Sequence, residues 1–446
     1  MDDGAAGTGG ERGGSRSLLV GYTGKHLDEF HLDLEALTRG LVVVGQSGCG
    51  KSFFLARLLE EMVMKGRTED RFLAIDANSD FRQGLKVVDL RVFEDKWLAD
   101  LLSRTRAAPT REDEVRLAEL ASRTALETHP ACLQARVFGT VESPFNLDWR
   151  ELILDPRALT DYLSPGHKYF ASYLWCLLWA LSERKDHAGE TETLRALAKG
   201  VWEMATSRRF SLDQITDPAT QSALAIDLNE LAESPEWRKT AADPGLPEEL
   251  DKKRVSILET ELLEKETARL RVVLSSLEYL WKLQVKEREA YLASRTPSAS
   301  VAIPVAEKKK RPAWFVIVEE AHRLAAARPA SPLAERVRDL LWQIASEGRK
   351  YGLYLILATQ RPTKVAPGLL GECDNAVVMK MNSRADLEFL AKEMRILDVK
   401  LLEGTLHFQG KGNALAVGEA AGAAPNVVQF MTAPRRSAEG GGDLER

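Results

Sequence analysis

Short apolar runs bounded by turn residues recur along the chain. "LVVV" (41–44) stops at a glycine-rich turn, and an amphipathic stretch from about Lys51 to Met64 follows. "RFLAID" (71–76), "WFVIV" (314–318), "LYLILAT" (353–359) and "AVVMKM" (376–381) are runs of the same kind. Runs this short, apolar on both faces, predict buried parallel strands. "SLLVGYTG" and "FHLDL" predict two short strands leading into them. Helical periodicity covers 320–327, 332–350 and 384–394, with a charged helical pattern at about 95–130 and mixed structure at 143–153. Residues 156–293 read as mostly helical. In 255–283, Leu258, Leu262, Leu270, Val273, Leu277 and Trp281 fall on one helix face, as in a packed bundle member. "LHFQGKGNALAVGEA" (406–420) predicts a closing hairpin through Gly410–Gly412.

Strand–helix units, a helical block, then strand–helix units again predict an α/β fold with a mostly parallel sheet, interrupted by a helical insertion. The expected organisation is a disordered tail over 1–16, then the first part of the core over 17–155. A helical insertion over 156–300, a linker over 301–311, the second part of the core over 312–433 and a disordered tail over 434–446 complete it. The Pro/Ser-rich stretch before Trp314 ends in a basic run, Lys308–Arg311, which reads as a solvated loop.

Composition adds limits. The chain is 44% hydrophobic and 28% charged, as a protein with a proper core should be. Its net charge of −5 means that any nucleic-acid contact must come from a local basic surface. Four cysteines without a C-x-x-C pair argue against a zinc ribbon or disulfide framework. Residues 1–16 lack the apolar core of a signal peptide. The apolar stretch 169–181 is too short to span a bilayer and reads as a core helix. A cytoplasmic location is expected.

Gly45-Gln46-Ser47-Gly48-Cys49-Gly50-Lys51-Ser52 matches G-x-x-x-x-G-K-[ST], with a strand before it and a helix after it. Glycines let the backbone wrap a phosphate chain, and amides at a helix N-terminus supply positive potential. Lys51 supplies charge to the β/γ-phosphates and Ser52 a hydroxyl to Mg²⁺, so ATP and Mg²⁺ are the expected ligands. Cys49 reads as a small filler. Hydrolysis needs a metal-supporting acid and a water-activating base on a neighbouring strand. "WFVIVEEAHRL" offers both: Glu319 for the metal's water shell, Glu320 for the attacking water. His322 reads as structural. Gln360 ends "LYLILATQ", where a polar residue can sense the γ-phosphate.

Together, 45–52, "VIVEEAHRL" (316–324), "ASEGRKYGLYLILATQRPTKVAPGLLGECDN" (345–375) and "FQGKGNALAVG" (408–418) resemble HerA-type ATPases, of the HerA/FtsK group of P-loop DNA translocases. "RFLAIDANSDF" (71–81) resembles that family's strand after the loop helix. The resemblance covers 41–81, more weakly 137–155, and 312–420, and leaves 156–300 unmatched. It implies a RecA-like core in a homo-hexameric ring, ATP between subunits, and double-stranded DNA in the channel. It also implies a nuclease or effector partner, in DNA processing or phage defence. By carry-over, Lys51 and Ser52 bind nucleotide and metal, Glu320 is the catalytic acid and Gln360 the sensor. Arg349 is the first candidate for an arginine reaching the adjacent subunit's site, with Arg361 and Arg384 behind it. The chain departs from the usual Asp-Glu pair with Glu319-Glu320. About 40 residues precede the loop, too few for the N-terminal β-barrel common in HerA proteins. The alternatives are a nucleotide-gated assembly or scaffold subunit that licenses an effector without processive translocation, and a kinase using the same loop.

Overall fold

The computed structural model describes residues 16–24, 27–81, 135–140, 143–147, 160–163, 226–227, 245–293, 312–422, 427–433 and 435. Elements are numbered in the order these residues present them. One sheet of 11 strands carries the fold. Its strands are β1 (Ser17–Thr23), β2 (Asp28–Asp33), β3 (Leu41–Val44), β4 (Arg71–Asp76), β5 (Ala135–Phe138) and β6 (Val255–Glu259), then β7 (Trp314–Val318), β8 (Leu353–Thr359), β9 (Asn375–Met379), β10 (Asn413–Gly418) and β11 (Val427–Thr432). The spatial order is β2-β1-β11-β10-β9-β3-β8-β7-β4-β6-β5. From β9 to β5 every neighbouring pair is parallel. On the other side of β9, the pairs through β10, β11, β1 and β2 are antiparallel.

Helices cover both faces, which is why the central strands are apolar throughout. Successive residues of a strand point to opposite faces. Leu41, Val43, Phe72, Ala74, Phe315 and Ile317 join one core with Phe54, Leu55 and Leu58 of α1 (Lys51–Lys65). Val42, Val44, Leu73, Ile75, Val316 and Val318 join the other. That second core also holds Leu270, Val273 and Leu277 of α3 (Glu266–Ala293) and Val337, Leu341 and Ile344 of α5 (Pro332–Tyr351). Short helices α2 (Leu246–Leu250), α4 (Ala321–Leu324) and α7 (Val399–Glu403), with α6 (Arg384–Glu393), complete the described set.

The N-terminal hairpin is fastened to α1 by buried charge. Register slips between Leu19 and Gly21, leaving a bulge in the β1–β2 ladder. Leu19 N–H donates to Glu61 Oε2 at 3.1 Å, and Arg57 Nε donates to the Leu19 carbonyl at 3.1 Å. Arg57 Nη2 closes the set on Glu61 Oε1 at 2.7 Å. The ion pair thus satisfies backbone groups that a bulge takes out of the ladder.

Residues 255–259 are not the start of a helix: they form β6, parallel to β4 and β5 inside the sheet. A strand buried on both faces is an unbroken apolar run, and Leu258 and Leu262 happen to sit at helical spacing from Leu270. Leu262 is 47% exposed, on the connection before α3. Nor does a hairpin turn through Gly410–Gly412. Residues 404–407 form a 3-10 turn, and β10 pairs instead with β9 and β11. Helix α4 also stops at Leu324, short of the expected 327. The tail 1–15, the helical patterns at 95–130 and 169–181, and the linker with Lys308–Arg311 lie outside the described residues. So does most of 156–254 and of 434–446; Arg435, inside the expected tail, is buried.

Candidate functional site

Because β3, β8 and β7 run parallel, their carboxyl ends share one edge of the sheet. The glycine turn leaves β3 there, Gln360 leaves β8, and Glu319–Glu320 leave β7. The acids are not on the strand next to the loop: β8 lies between, which sets Gln360 between loop and acids.

The turn is held from three sides. Gln46 N–H donates to the Lys380 carbonyl at 2.8 Å, Gly45 N–H to Thr359 O at 3.4 Å, and Gly412 N–H to Cys49 O at 2.9 Å. Gly48 and Gly50 take φ of 74° and 104°, where a side chain would strain the backbone. A Cβ on Gly45 would stand 2.6 Å from Cys49 Sγ and 2.9 Å from Met379 Cβ. Ser47 and Gly48 are exposed at the tip, while Cys49 is buried. Burial pushes the Cys49 thiol up, against the pull of nearby Lys51, so it stays protonated, as a filler should. Lys51 is buried, and its ammonium donates to the Gln46 carbonyl at 3.1 Å. Among the described residues it forms no ion pair, so its charge stands ready for an anion. The segment around Gly412 supports the loop, which its sequence alone does not disclose: a Cβ on Gly50 would be 3.2 Å from Gly412 N.

Glu319 is 3% exposed, and its N–H donates to Ile75 O at 3.1 Å across the β4–β7 pair. Burial, with the charges of Asp76 and Asp80 added, holds its carboxyl well above the usual carboxylate range. The Ser52 hydroxyl works against that rise and the Asp76 carboxyl adds to it. Asp76 is fully buried at the end of β4, and burial raises its carboxyl too. That carboxylate accepts the N–H groups of Asn78, Asp80 and Phe81 at 3.1, 3.1 and 2.8 Å, which folds the turn after β4.

Glu320 occupies the left-handed region (φ 47°, ψ 48°), an uncommon conformation for a side-chain-bearing residue and one that marks functional turns. Burial would raise its carboxyl, but the His322 hydrogen bond, the Lys51 charge and the Gln360 N–H outweigh burial and hold it below the usual value. Glu320 therefore leans to the ionised form, on the far side of β8 from the loop, while Glu319 leans to the protonated one.

Arg349 lies elsewhere. It lines a cleft of about 470 Å³ with Arg16, Asp33, Ala313 and Tyr354, at the opposite edge of the sheet. Arg361 follows Gln360 and is exposed. Arg384 opens α6 and pairs with Glu388 and Glu403, both at 3.3 Å.

The donor set fits Mg²⁺ beside a triphosphate. Glu319 Oε2 is buried without a hydrogen-bond partner among the described residues, next to the Ser52 hydroxyl and Asp76. Among those residues no three His, Cys, Asp or Glu side chains form a metal cage. Mg²⁺ needs none, since it keeps waters and takes phosphate oxygens.

A parallel-centred sheet with this loop and these acids defines the class: the fold is that of a RecA-like P-loop ATPase core. The solved VirB4 of Thermoanaerobacter pseudethanolicus has the same fold, with a TM-score of 0.56 and 14% identity over 94% of this chain and 97% of that one. Within the class, the sequence likeness is to HerA-type ATPases. The chain is 32% identical over 106 residues to the DNA double-strand break repair helicase HerA of Pyrococcus furiosus, 24% of this chain and 18% of that protein. It is 33% identical over 118 residues to the probable HerA helicase of Methanocaldococcus jannaschii, 26% of this chain and 22% of that one. The matches thus span about a fifth of these curated relatives. No family model matches. Among the described residues no helix is long and apolar enough to cross a membrane.

Proposed function

We propose that this protein is an ATP hydrolase of the HerA type, a ring-forming motor that moves double-stranded DNA. The observation that carries the reading is the gathering at one sheet edge of the loop that holds Lys51, of Gln360 at the end of β8, and of Glu320 with His322 Nδ1 3.2 Å from its carboxylate. An ionised carboxylate so placed can order or deprotonate a water next to a γ-phosphate. Mg²⁺ would supply charge neutralisation on the phosphates, held through Ser52 and, by way of water, Glu319. Lys51 binds the phosphates, and Gln360 senses them or the attacking water.

Arg349 is assigned to a neighbouring subunit's site. Its distance from its own loop supports that role, and the ring would be a homo-hexamer. For DNA, the supporting surface is the loop after Gln360, where Arg361 and Lys364 are exposed. That loop is braced by Ala327 N–H on Lys364 O at 2.9 Å and Ala366 N–H on Ala325 O at 2.8 Å. A nuclease or other effector, in DNA processing or phage defence, completes the proposal. The test is phosphate release with and without linear duplex DNA at low salt. Stimulation by duplex is expected. Turnover indifferent to DNA would instead favour the nucleotide-gated scaffold.

A further inference from the structure

We infer that His322, braced by Thr359, is a positioning residue that fixes the aim of the Glu320 carboxylate and ties it to the end of β8. This rests on the hydrolysis reading above and adds a residue to it. His322 Nδ1 stands 3.2 Å from Glu320 Oε2 and 3.2 Å from Thr359 Oγ1. The His322 and Glu320 side chains are only 11% and 10% exposed, and Thr359 is fully buried, so water competes little for these contacts. Thr359 Oγ1 also accepts the Arg361 N–H at 3.1 Å, which fixes the hydroxyl to the backbone just past Gln360.

Nδ1 is the ring nitrogen that faces both Glu320 Oε2 and Thr359 Oγ1, and a hydrogen carried there would serve both, since a carboxylate oxygen only accepts. The opposite tautomer would set a lone pair against a carboxylate oxygen. Nδ1 is thus hydrogen-bonded to Thr359 and within ion-pair range of Glu320 Oε2, an oxygen with no hydrogen-bond partner among the described residues, so it stands between the base and the strand that ends in Gln360. The Glu320 backbone is set by its left-handed turn, and His322 sets what the backbone leaves free, the torsions of the side chain. A displacement at the end of β8 would pass to Glu320 through this one imidazole. A misplacement of about 1 Å in a reacting group costs about 10²-fold in rate.

The experiment compares His322→Leu with His322→Asn in the full chain. The amide nitrogen of Asn reaches the place of Nδ1, so it keeps the donor and loses the ring. Steady-state ATP hydrolysis and Mg·ATP binding by calorimetry are both measured. For His322→Leu we expect kcat to fall about 10²-fold with the ATP dissociation constant within about twofold, and His322→Asn to recover most of the rate. Adding His322→Leu to Glu320→Gln should cost nothing further, because both act through one carboxylate. Thr359→Val and Thr359→Ser form a second pair, with Ser active and Val impaired, should the leucine variant misfold. Equal loss in the Leu and Asn variants, an unchanged kcat in either apolar variant, or additive losses in the double variant would overturn the inference. Absence of hydrolysis by the wild-type chain would instead refute the function on which it rests.

Discussion

Glu319 and Asp76 end adjacent strands, both buried, and burial is the main cause that raises both carboxyls. The folded chain therefore holds protons that the unfolded chain releases at a lower pH. Stability is full below the unfolded values near pH 4 and is lost as pH rises through the folded ones. Without nucleotide or metal, these two groups should make the melting temperature fall as pH rises above about 4. Glu319→Gln should flatten that slope and melt higher than wild type at pH 8. A wild-type profile rising over that range would contradict the assignment. The sequence discloses Gly45–Ser52 and Glu319–Glu320 because each is a local pattern with the required flanks. Asp76 is legible as the acid that ends "RFLAID", but the contact between Thr359 and His322 is not legible in that way. His322 and Thr359 are 37 residues apart and meet only because β8 lies beside β7.

Helix α1 carries the loop at one end and the N-terminal hairpin along its side. Arg57, Glu60 and Glu61 are all within 1% of full burial, an unusual place for charge unless it is paired. Glu61→Ala would leave the Leu19 N–H without its acceptor and remove the nearest carboxylate from the buried Arg57 guanidinium. The expected loss is about 3–5 kcal/mol, read from the denaturant midpoint, with β1 losing amide-exchange protection first. A loss under about 1 kcal/mol, as at an exposed pair, would show that the pair does not fasten the hairpin. At this scale the strands of 314–318 and 353–359 match their apolar runs residue for residue. β6 escapes notice because the same apolar spacing serves a two-faced strand and a helix. β11 escapes because "VVQFMT" is edged by partly exposed positions and has no flanking motif.

In the whole molecule, topology gathers what the chain separates. The loop at 45–52, the acids at 319–320 and Gln360 reach one edge because their strands are parallel, and Arg349 goes to the opposite edge. If Arg349 serves a second subunit, Lys51→Ala and Arg349→Ala chains should each be inactive alone, with losses of about 10³–10⁵-fold for the arginine. Mixed, they should regain turnover, since some interfaces would then hold both intact residues; no recovery on mixing would leave Arg349 without a role in trans. On the proposed function, Mg·ATP would lie on the Gly45–Ser52 amides and Glu320 would drive its cleavage. The decisive measurement is ATP binding and phosphate release, side by side, in wild type and Glu320→Gln. Wild type should bind and hydrolyse, while Glu320→Gln should bind as tightly and release phosphate at least about 10²-fold more slowly. Unimpaired hydrolysis in Glu320→Gln, or no ATP binding by wild type, would contradict it.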